Sequence, residues 1–201
     1  MTGKVQERRR ALRENLIAHA ERRIAADGLS SLRARDLAQD AGCAVGAIYN
    51  VFGDLTDLVL SVNARTFDKL GATVSEALAG APTDAVEQLV VMSQAYHRFA
   101  AENHNLWRAM FDVDRPAGES APEWYLREMG RLMAYIAAPL SVIFPDLDES
   151  DLALMTRALF SSVHGIVLLA LDEAASGVPT AEIDRMISLV LQQLTASRQI
   201  S

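Results

Sequence analysis

Apolar residues recur at three-to-four spacing along nearly the whole chain, and runs of alternating Val, Ile or Thr do not occur. That period predicts an all-α fold. Leu12, Leu16, Ala20 and Ile24 form one stripe, which predicts a first helix from about Val5 to Ala26 ended by Asp27-Gly28. Two short helices follow, split at Gly42. Asp54 is placed to cap a long helix reaching Ala79, with Asp57 favouring its first-turn amides and Gly80-Ala81-Pro82 closing it. Further helices are expected over Asp84 to about Glu102, Asn105 to Phe111, Glu123 to about Phe144, Glu149 to about Ala175, and Ala181 to about Ser197 with Thr180 as cap. An irregular acidic stretch ending at Pro122 separates the helix over Asn105 to Phe111 from the one opening at Glu123. Pro139 is expected to kink its helix or end it early, because proline removes an amide donor.

A chain of 201 residues, half of them hydrophobic, suits one domain or a small domain joined to a larger one. The long helix opening at Asp54 suggests the second arrangement, with residues 1–53 as a small N-terminal domain and 54–201 as the body. The longest apolar runs, such as Ile166 to Leu171, fall far short of the ~20 residues that cross a bilayer, and no apolar leader follows the N-terminal basic cluster. The single cysteine, Cys43, has no partner in the chain, which fits a reducing compartment, so a cytoplasmic location is expected. Cys43 also sits beside a turn, where a small apolar side chain packs well.

Net charge changes the picture once it is divided along the chain. Residues 1–35 carry nine Lys or Arg against four acids, whereas the remainder is strongly acidic and brings the total to −7. A basic segment on an acidic body suits contact with phosphate at one end only; a solvated helix face would show the same charges.

The stretch from Leu37 to Phe52 carries the functional signal. Leu37, Ala38, Ala41, Ile48 and Phe52 are small or apolar at spacings that let two short helices pack, and Gly42 permits the sharp turn between them. This is the grammar of a helix-turn-helix, whose second helix offers its N-terminal and outward residues to the DNA major groove. Gly28, Arg35-Asp36-Leu37-Ala38, Ala41-Gly42, Gly46-Ala47-Ile48-Tyr49-Asn50-Val51-Phe52 and Leu58 stand in the register of the TetR (tetracycline repressor) family, which the segment resembles. The size and nine-helix layout of the chain are similar to that family more loosely. Val163-His164-Gly165, with Trp107 upstream, resembles its Trp/His-Gly C-terminal variant.

The resemblance implies a double-stranded DNA operator as partner, read by Ala44, Val45, Gly46, Ala47, Tyr49 and Asn50, with Arg33 and Arg35 available to phosphate. Family members usually carry Ser or Thr at the starts of both motif helices and a Lys shortly after the Phe; Arg33, Ala44 and Leu55 stand there instead. Ala44 is a poor cap, and Arg33 is placed to supply the missing phosphate contact. Arg8, Arg9 and Arg10 fit phosphate contact, a mobile minor-groove arm, or simply a solvated terminus.

The resemblance further implies a repressor released by a small effector. Phe67, Met92, Tyr96, Phe99, Trp107, Met110, Phe111, Trp124, Tyr125, Met129, Met133, Phe160 and His164 are the candidates for lining its largely apolar cavity, with Tyr96 and His164 as polar handles. No cofactor is expected. The last two helices are apolar on more than one side: Leu152, Met155, Leu159, Val163 and Val167 on one, Ile183, Met186, Ile187, Val190, Leu191 and Leu194 on the other. Such helices need more than one partner, which points to a homodimer built as a four-helix bundle. Two rivals differ in class. A helical adaptor without DNA binding has the same periodicity, and a metal enzyme would draw on His97 and His104, seven residues apart, with Asp112 or His164; no established metal or phosphate motif accompanies them, so no metal site and no catalysis are expected.

Overall fold

The computed structural model describes residues 2–114, 120–172 and 179–196. Among them are nine α-helices and no strand: α1 Thr2–Asp27, α2 Ala34–Asp40, α3 Val45–Val51, α4 Leu55–Ala79, α5 Ala85–Glu102, α6 His104–Ala109, α7 Glu123–Ile143, α8 Glu149–Leu171 and α9 Thr180–Ala196, with a 3₁₀ turn at Leu29–Ser31. The all-α expectation holds. Packing divides the chain into two units, the first from the described residues of Met1–Asp68 and Asn103–Leu126, the second from those of Lys69–Glu102 and Arg127–Ser201. This division by packing falls inside α4, whereas the sequence reading places a boundary at residue 54.

The first unit is built on the α1 stripe. Leu16, Ile17, Ala20 and Ile24 are buried in one core with Leu37 and Ala38 of α2, Ile48 of α3, Phe52, Leu58, Val59 and Val62 of α4, and Leu106 and Ala109 of α6. α1 stops at Gly28, whose φ of 79° is open to glycine and whose amide bonds Ile24 O at 2.9 Å. The carbonyls this leaves at the helix end are met from α6: Asn105 Nδ2 donates to Ala25 O at 3.0 Å and Ala26 O at 3.3 Å. The α2–α3 turn is a Schellman motif. Gly42, with φ 65°, bonds Gln39 O through its amide at 3.2 Å, and Cys43 N bonds Ala38 O at 2.9 Å. Cys43 packs half-buried against the core. Asp54 Oδ1 accepts from Asp57 N at 2.8 Å while Asp57 Oδ2 accepts from Gly53 N at 3.1 Å, a reciprocal pair that opens α4.

In the second unit α5 packs on α8 and α9. Asp84 Oδ1 caps α5 through Val86 N and Glu87 N, and Asp148 Oδ1 caps α8 through Asp151 N. Leu89, Met92, Ala95, Tyr96, Phe99 and Ala100 of α5 are buried in this unit, as are Leu159, Val163 and Val167 of α8, and Ile183, Ile187 and Leu191 of α9. His97 Nδ1 pairs with Asp184 Oδ1 at 2.9 Å, linking α5 to α9.

Four boundaries differ from the sequence reading. α7 runs on to Ile143 through Pro139, where early termination was expected; Pro139 and Leu140 are both buried, so packing holds the helix past the lost amide. α8 ends at Leu171, with Asp172 extended, and the expected end at Ala175 lies outside the described residues. Thr180 opens α9 instead of capping it, because Glu182 N bonds Pro179 O one turn earlier; Ser197 is outside the described residues. α6 spans His104–Ala109, against an expected Asn105 to Phe111. Gly118 and Ser176 to Val178, read as loop, also lie outside the described residues.

Two glycines of the motif are expected to respond oppositely to alanine. Gly42→Ala keeps open space around the new methyl but forces a left-handed backbone, and is expected to cost about 1–2 kcal/mol. Gly46 has ordinary helical geometry, and a methyl placed on it meets nothing within 4 Å, so Gly46→Ala is expected to be neutral or to stabilise by up to about 1 kcal/mol. Urea unfolding followed by circular dichroism checks both; equal losses would contradict the backbone argument.

Candidate functional site

α3 is fixed from behind by Ile48, wholly buried, and by Phe52 at its end. Its other side is open. Ala44, Val45, Gly46, Tyr49 and Asn50 are exposed and Ala47 is half-buried. Val45 and Tyr49, large residues that would be poor choices for an idle surface, stand 39% and 49% exposed. Neither α2 nor α3 has a side-chain cap, Arg33 and Ala44 occupying the cap positions in extended backbone.

The arginines sort into two groups. Arg13 lies over the Phe52 ring at 4.5 Å and donates to Ser61 Oγ at 2.8 Å, so it braces α1, the end of α3 and α4. Arg65 of α4 pairs with Glu14 and Glu21 of α1, and Arg23 with Asp40 at the end of α2. Arg8, Arg9, Arg10, Arg33 and Arg35 are exposed and have no ion pair among the described residues. Leu55 packs against the core. The brace arginines carry no sequence signature that separates them from the free ones; only the acids and rings facing them do so.

A second candidate site is the cavity of the second unit. It is lined by Leu70 and Val74 of α4, Leu89, Met92, Ser93 and Tyr96 of α5, Leu132, Met133, Tyr135 and Ile136 of α7, and Leu159, Phe160 and Val163 of α8. Its volume is about 70 Å³. Tyr96 Oη and His164 Nδ1 are hydrogen-bonded at 2.8 Å, and the His164 ring stacks on Phe160 with centroids 5.5 Å apart.

Of the expected lining residues, Met92, Tyr96, Met133 and Phe160 are there, and His164 stands behind Tyr96. Phe99 is buried elsewhere in the second unit's core, and Met129 is exposed. Phe67, Trp107, Met110, Phe111, Trp124 and Tyr125 belong to the first unit. There Trp107 is wholly buried with Phe111 edge-on at 5.7 Å, and Phe67 meets Tyr125 at 5.2 Å. The short α6 docks Leu106 and Ala109 into the first unit's core and takes these aromatics with it. The aliphatic wall and Ser93 were missed, although Leu89, Met92, Ser93 and Tyr96 share one face by spacing.

The candidate interface residues also separate. Leu159, Val163, Val167, Ile183, Ile187 and Leu191 are buried within the single chain, so they are core. Met155, Met186 and Leu194 are exposed and Leu152 and Val190 half-buried; Leu154, Leu169 and Leu189 are exposed by 50% or more. α8 is long and apolar enough to cross a membrane by length and composition, contrary to the reading of short apolar runs, because Ser161, Ser162 and Gly165 interrupt the runs without adding charge.

The proposed metal donors have other partners: His97 bonds Asp184, His164 bonds Tyr96, Asp112 bonds Arg108 at 3.1 Å, and His104 lies against Trp107. No group of three His, Cys, Asp or Glu among the described residues is placed to hold a metal ion.

Comparison with known proteins decides the family. The model described as "Tetracyclin repressor-like, C-terminal domain" matches residues 89–194, just over half of the chain. The chain belongs to the tetracycline-repressor family of transcriptional regulators. It is similar in fold to RolR solved with resorcinol, at 19% identity and TM-score 0.71, covering 96% of each chain. PfmR, a TetR-family regulator from Thermus thermophilus, is 21% identical with TM-score 0.59, over 89% of this chain and 97% of that one. FadR from Bacillus subtilis, solved with stearoyl-CoA, is 17% identical with TM-score 0.63, over 92% and 97%. No curated protein matches the chain in sequence.

The Arg23–Asp40 pair makes the motif's packing acid-sensitive. The hydrogen bond from Arg23, reinforced by its charge and opposed by desolvation, holds the Asp40 carboxyl below the usual carboxylate range. A depressed folded-state pKa contributes stability that is present above the unfolded value and lost as pH falls through the folded one. The stability difference between wild type and Asp40→Asn is therefore expected to shrink between neutral pH and the acid side of the carboxylate range. Urea midpoints at a series of pH values check it, and a constant difference would count against the pair.

Proposed function

We propose that this family member is a cytoplasmic, effector-responsive repressor that binds a pseudo-palindromic operator as a homodimer and leaves it when a small, largely apolar molecule enters the second unit's cavity. It acts by binding and not by catalysis. The observation that carries the reading is the outward side of α3. The side chains of Val45, Tyr49 and Asn50 make no hydrogen bond, ion pair or ring contact among the described residues, and five unpaired arginines belong to the same unit. Gly46 supports the reading most directly: a methyl there meets nothing in the chain, so the absence of a side chain serves a surface that must approach a partner closely. In a groove, Asn50 can pair with adenine, and Ala44, Val45 and Ala47 can meet thymine methyls, while Arg8, Arg9, Arg10, Arg33 and Arg35 meet phosphates.

The homodimer is supported by what a single chain leaves open. Leu154, Met155 and Leu169 of α8, with Met186, Leu189 and Leu194 of α9, are exposed apolar side chains, and Leu152 and Val190 border them. Between Leu154 and Leu169 the exposed positions Ala158, Ser161 and Ser162 are small, which lets a neighbouring helix approach closely. Two such helices from each subunit close a four-helix bundle about a two-fold axis, and a two-fold axis pairs two reading helices with two half-sites. The ligands seen with RolR and FadR, resorcinol and stearoyl-CoA, support small-molecule control of the same fold.

Fluorescence anisotropy on a duplex selected from random sequence tests the reading. Specific binding with a steep salt dependence is expected. Tyr49→Ala and Asn50→Ala should each lower specific affinity by about tenfold, in the range of ~1–3 kcal/mol for a base contact, while sparing non-specific binding. Gly46→Ala should lower operator affinity although the fold is intact. Arg33→Ala should weaken all sequences and reduce the salt slope by about one per subunit. Equal affinity for every sequence would defeat the proposal. Separately, Leu189→Glu and Leu194→Glu are expected to give monomers in sedimentation and to abolish operator binding with helicity unchanged; a wild-type monomer of full operator affinity would exclude the dimer.

A further inference from the structure

We propose that α3 selects A·T base pairs, with Val45 seating a thymine methyl group and Asn50 holding an adenine, and that no residue of this helix reads guanine or cytosine; this rests on reading the outward side of α3 as the DNA surface.

Helical spacing lays the outward residues of α3 in two neighbouring rows, Val45 with Tyr49 and Gly46 with Asn50, each pair one turn apart. All four are exposed, while Ile48 is wholly buried on the inner side. One row offers an isopropyl group and a phenol; the other offers bare backbone and an amide. Gly46 has no packing reason to lack a side chain, since a methyl there meets nothing within 4 Å. Its bareness lets the helix backbone approach a groove closely and brings Val45 down with it. Tyr49 and Asn50 make no hydrogen bond through their side chains among the described residues, so both meet a partner with their polar atoms uncommitted.

The major groove separates the four base pairs by hydrogen-bond donors, acceptors and one apolar feature, the thymine methyl. Guanine is ordinarily taken by arginine or lysine at O6 and N7, and the cytosine amino group by a carboxylate. α3 reads Val-Gly-Ala-Ile-Tyr-Asn-Val and contains neither a cation nor an acid. Two arginines of the surrounding unit are committed elsewhere: Arg13 lies over Phe52 and donates to Ser61, and Arg23 pairs with Asp40. The acids that follow α3, Asp54 and Asp57, accept from backbone amides. Arg33 and Arg35 stand at the start of α2, the helix that crosses the phosphate backbone in this motif. What remains on α3 favours A·T. An amide meets adenine N6 and N7 with an acceptor and a donor at once, and an isopropyl group gains most where thymine presents its methyl, since cytosine carries only a hydrogen there. The Tyr49 hydroxyl both donates and accepts, so it separates none of the pairs.

Single-atom changes in the duplex that the full-length protein selects from random sequence, followed by fluorescence anisotropy, test each contact. Uracil in place of thymine removes the methyl and keeps every hydrogen bond. At one thymine in each half-site it is expected to weaken binding about fourfold, the contribution of one buried methyl, and about fifteenfold when both half-sites are changed. Val45→Ala should abolish the difference between thymine and uracil at that position and leave other positions as they were. With cytosine placed there, adding its 5-methyl group should recover about fourfold for the wild type and nothing for Val45→Ala. Adenine lacking N7 should cost about tenfold at one position in each half-site, and nothing further once Asn50 is alanine. Both substituted sites are exposed, and the melting temperature of each variant is measured alongside. Uracil bound as tightly as thymine at every position would overturn the proposal. So would a difference between thymine and uracil that survives Val45→Ala at each sensitive position, or a guanine whose N7 is required even with Arg33 and Arg35 both replaced by alanine. Absence of any sequence preference defeats the DNA reading of α3 itself, whereas a specific operator indifferent to these base atoms defeats A·T selection alone.

Discussion

One buried stripe on α1 orients everything in the first unit. Leu16, Ile17, Ala20 and Ile24 form the surface onto which α2, α3, α4 and α6 pack in a single core. α3 has seven residues, too few to persist as a helix without tertiary support. Its support is Ile48 and Phe52, and burying those two residues is what turns Val45, Tyr49 and Asn50 outward. Arg13 fastens the arrangement by lying over Phe52 while donating to Ser61. The outward surface of α3 is thus the reverse side of a packing decision. A change in the α1 stripe would reach the surface proposed to meet DNA without touching a single residue on it.

The same core has a second tenant, α6. Asn105 donates to the last carbonyls of α1, and the wholly buried Asn63 of α4 donates to Ala109 O at 3.0 Å, so both ends of this short helix are held by amide side chains. Leu106 and Ala109 fill the space between. In chain order α6 begins two residues after α5 ends, and α5 carries Ser93 and Tyr96. The backbone therefore runs from the helix of the cavity wall to the helix in the motif's core with only Asn103 between them. α4 gives a second continuous route, since it begins beside the motif and contributes Leu70 and Val74 to the cavity.

What was legible in the sequence follows from which signals are local. The all-α class, the α1 stripe, Gly42 at the turn and the Asp54 and Asp84 helix starts depend on neighbours within a turn or two, and each is found as read. The outward residues of α3 were legible too, because Ile48 and Phe52 announce the buried side of so short a helix. Long-range choices were not. Trp107 and Phe67 have the same chemistry as Tyr96 and Phe160, and nothing local says which core each joins; for Trp107, the docking of α6 on α1 decided it. On α8, Leu154 and Leu159 are both leucines in an apolar helix, yet one is 63% and the other 5% exposed, because only the position of α5 and α9 distinguishes the faces. Pro139 was read by its local cost, which burial overrides.

Control by a small ligand is energetically reasonable, and the reason lies in what must be changed. The best small ligands gain at most about 1.5 kcal/mol per non-hydrogen atom, so even one of about seven such atoms has a ceiling near ~10 kcal/mol. Lowering operator affinity roughly a hundredfold requires a coupling of about 2.7 kcal/mol. Affinity is not the limit; difference is. A ligand bound equally well in both conformations shifts nothing, however tightly it binds. Apolar walls alone discriminate weakly, since leucine and methionine side chains repack around a shifted ring at small cost. The Tyr96–His164 hydrogen bond, which ties α5 to α8 beside the cavity, discriminates more sharply, because moving α5 by about an ångström breaks a bond that falls off steeply with distance and angle.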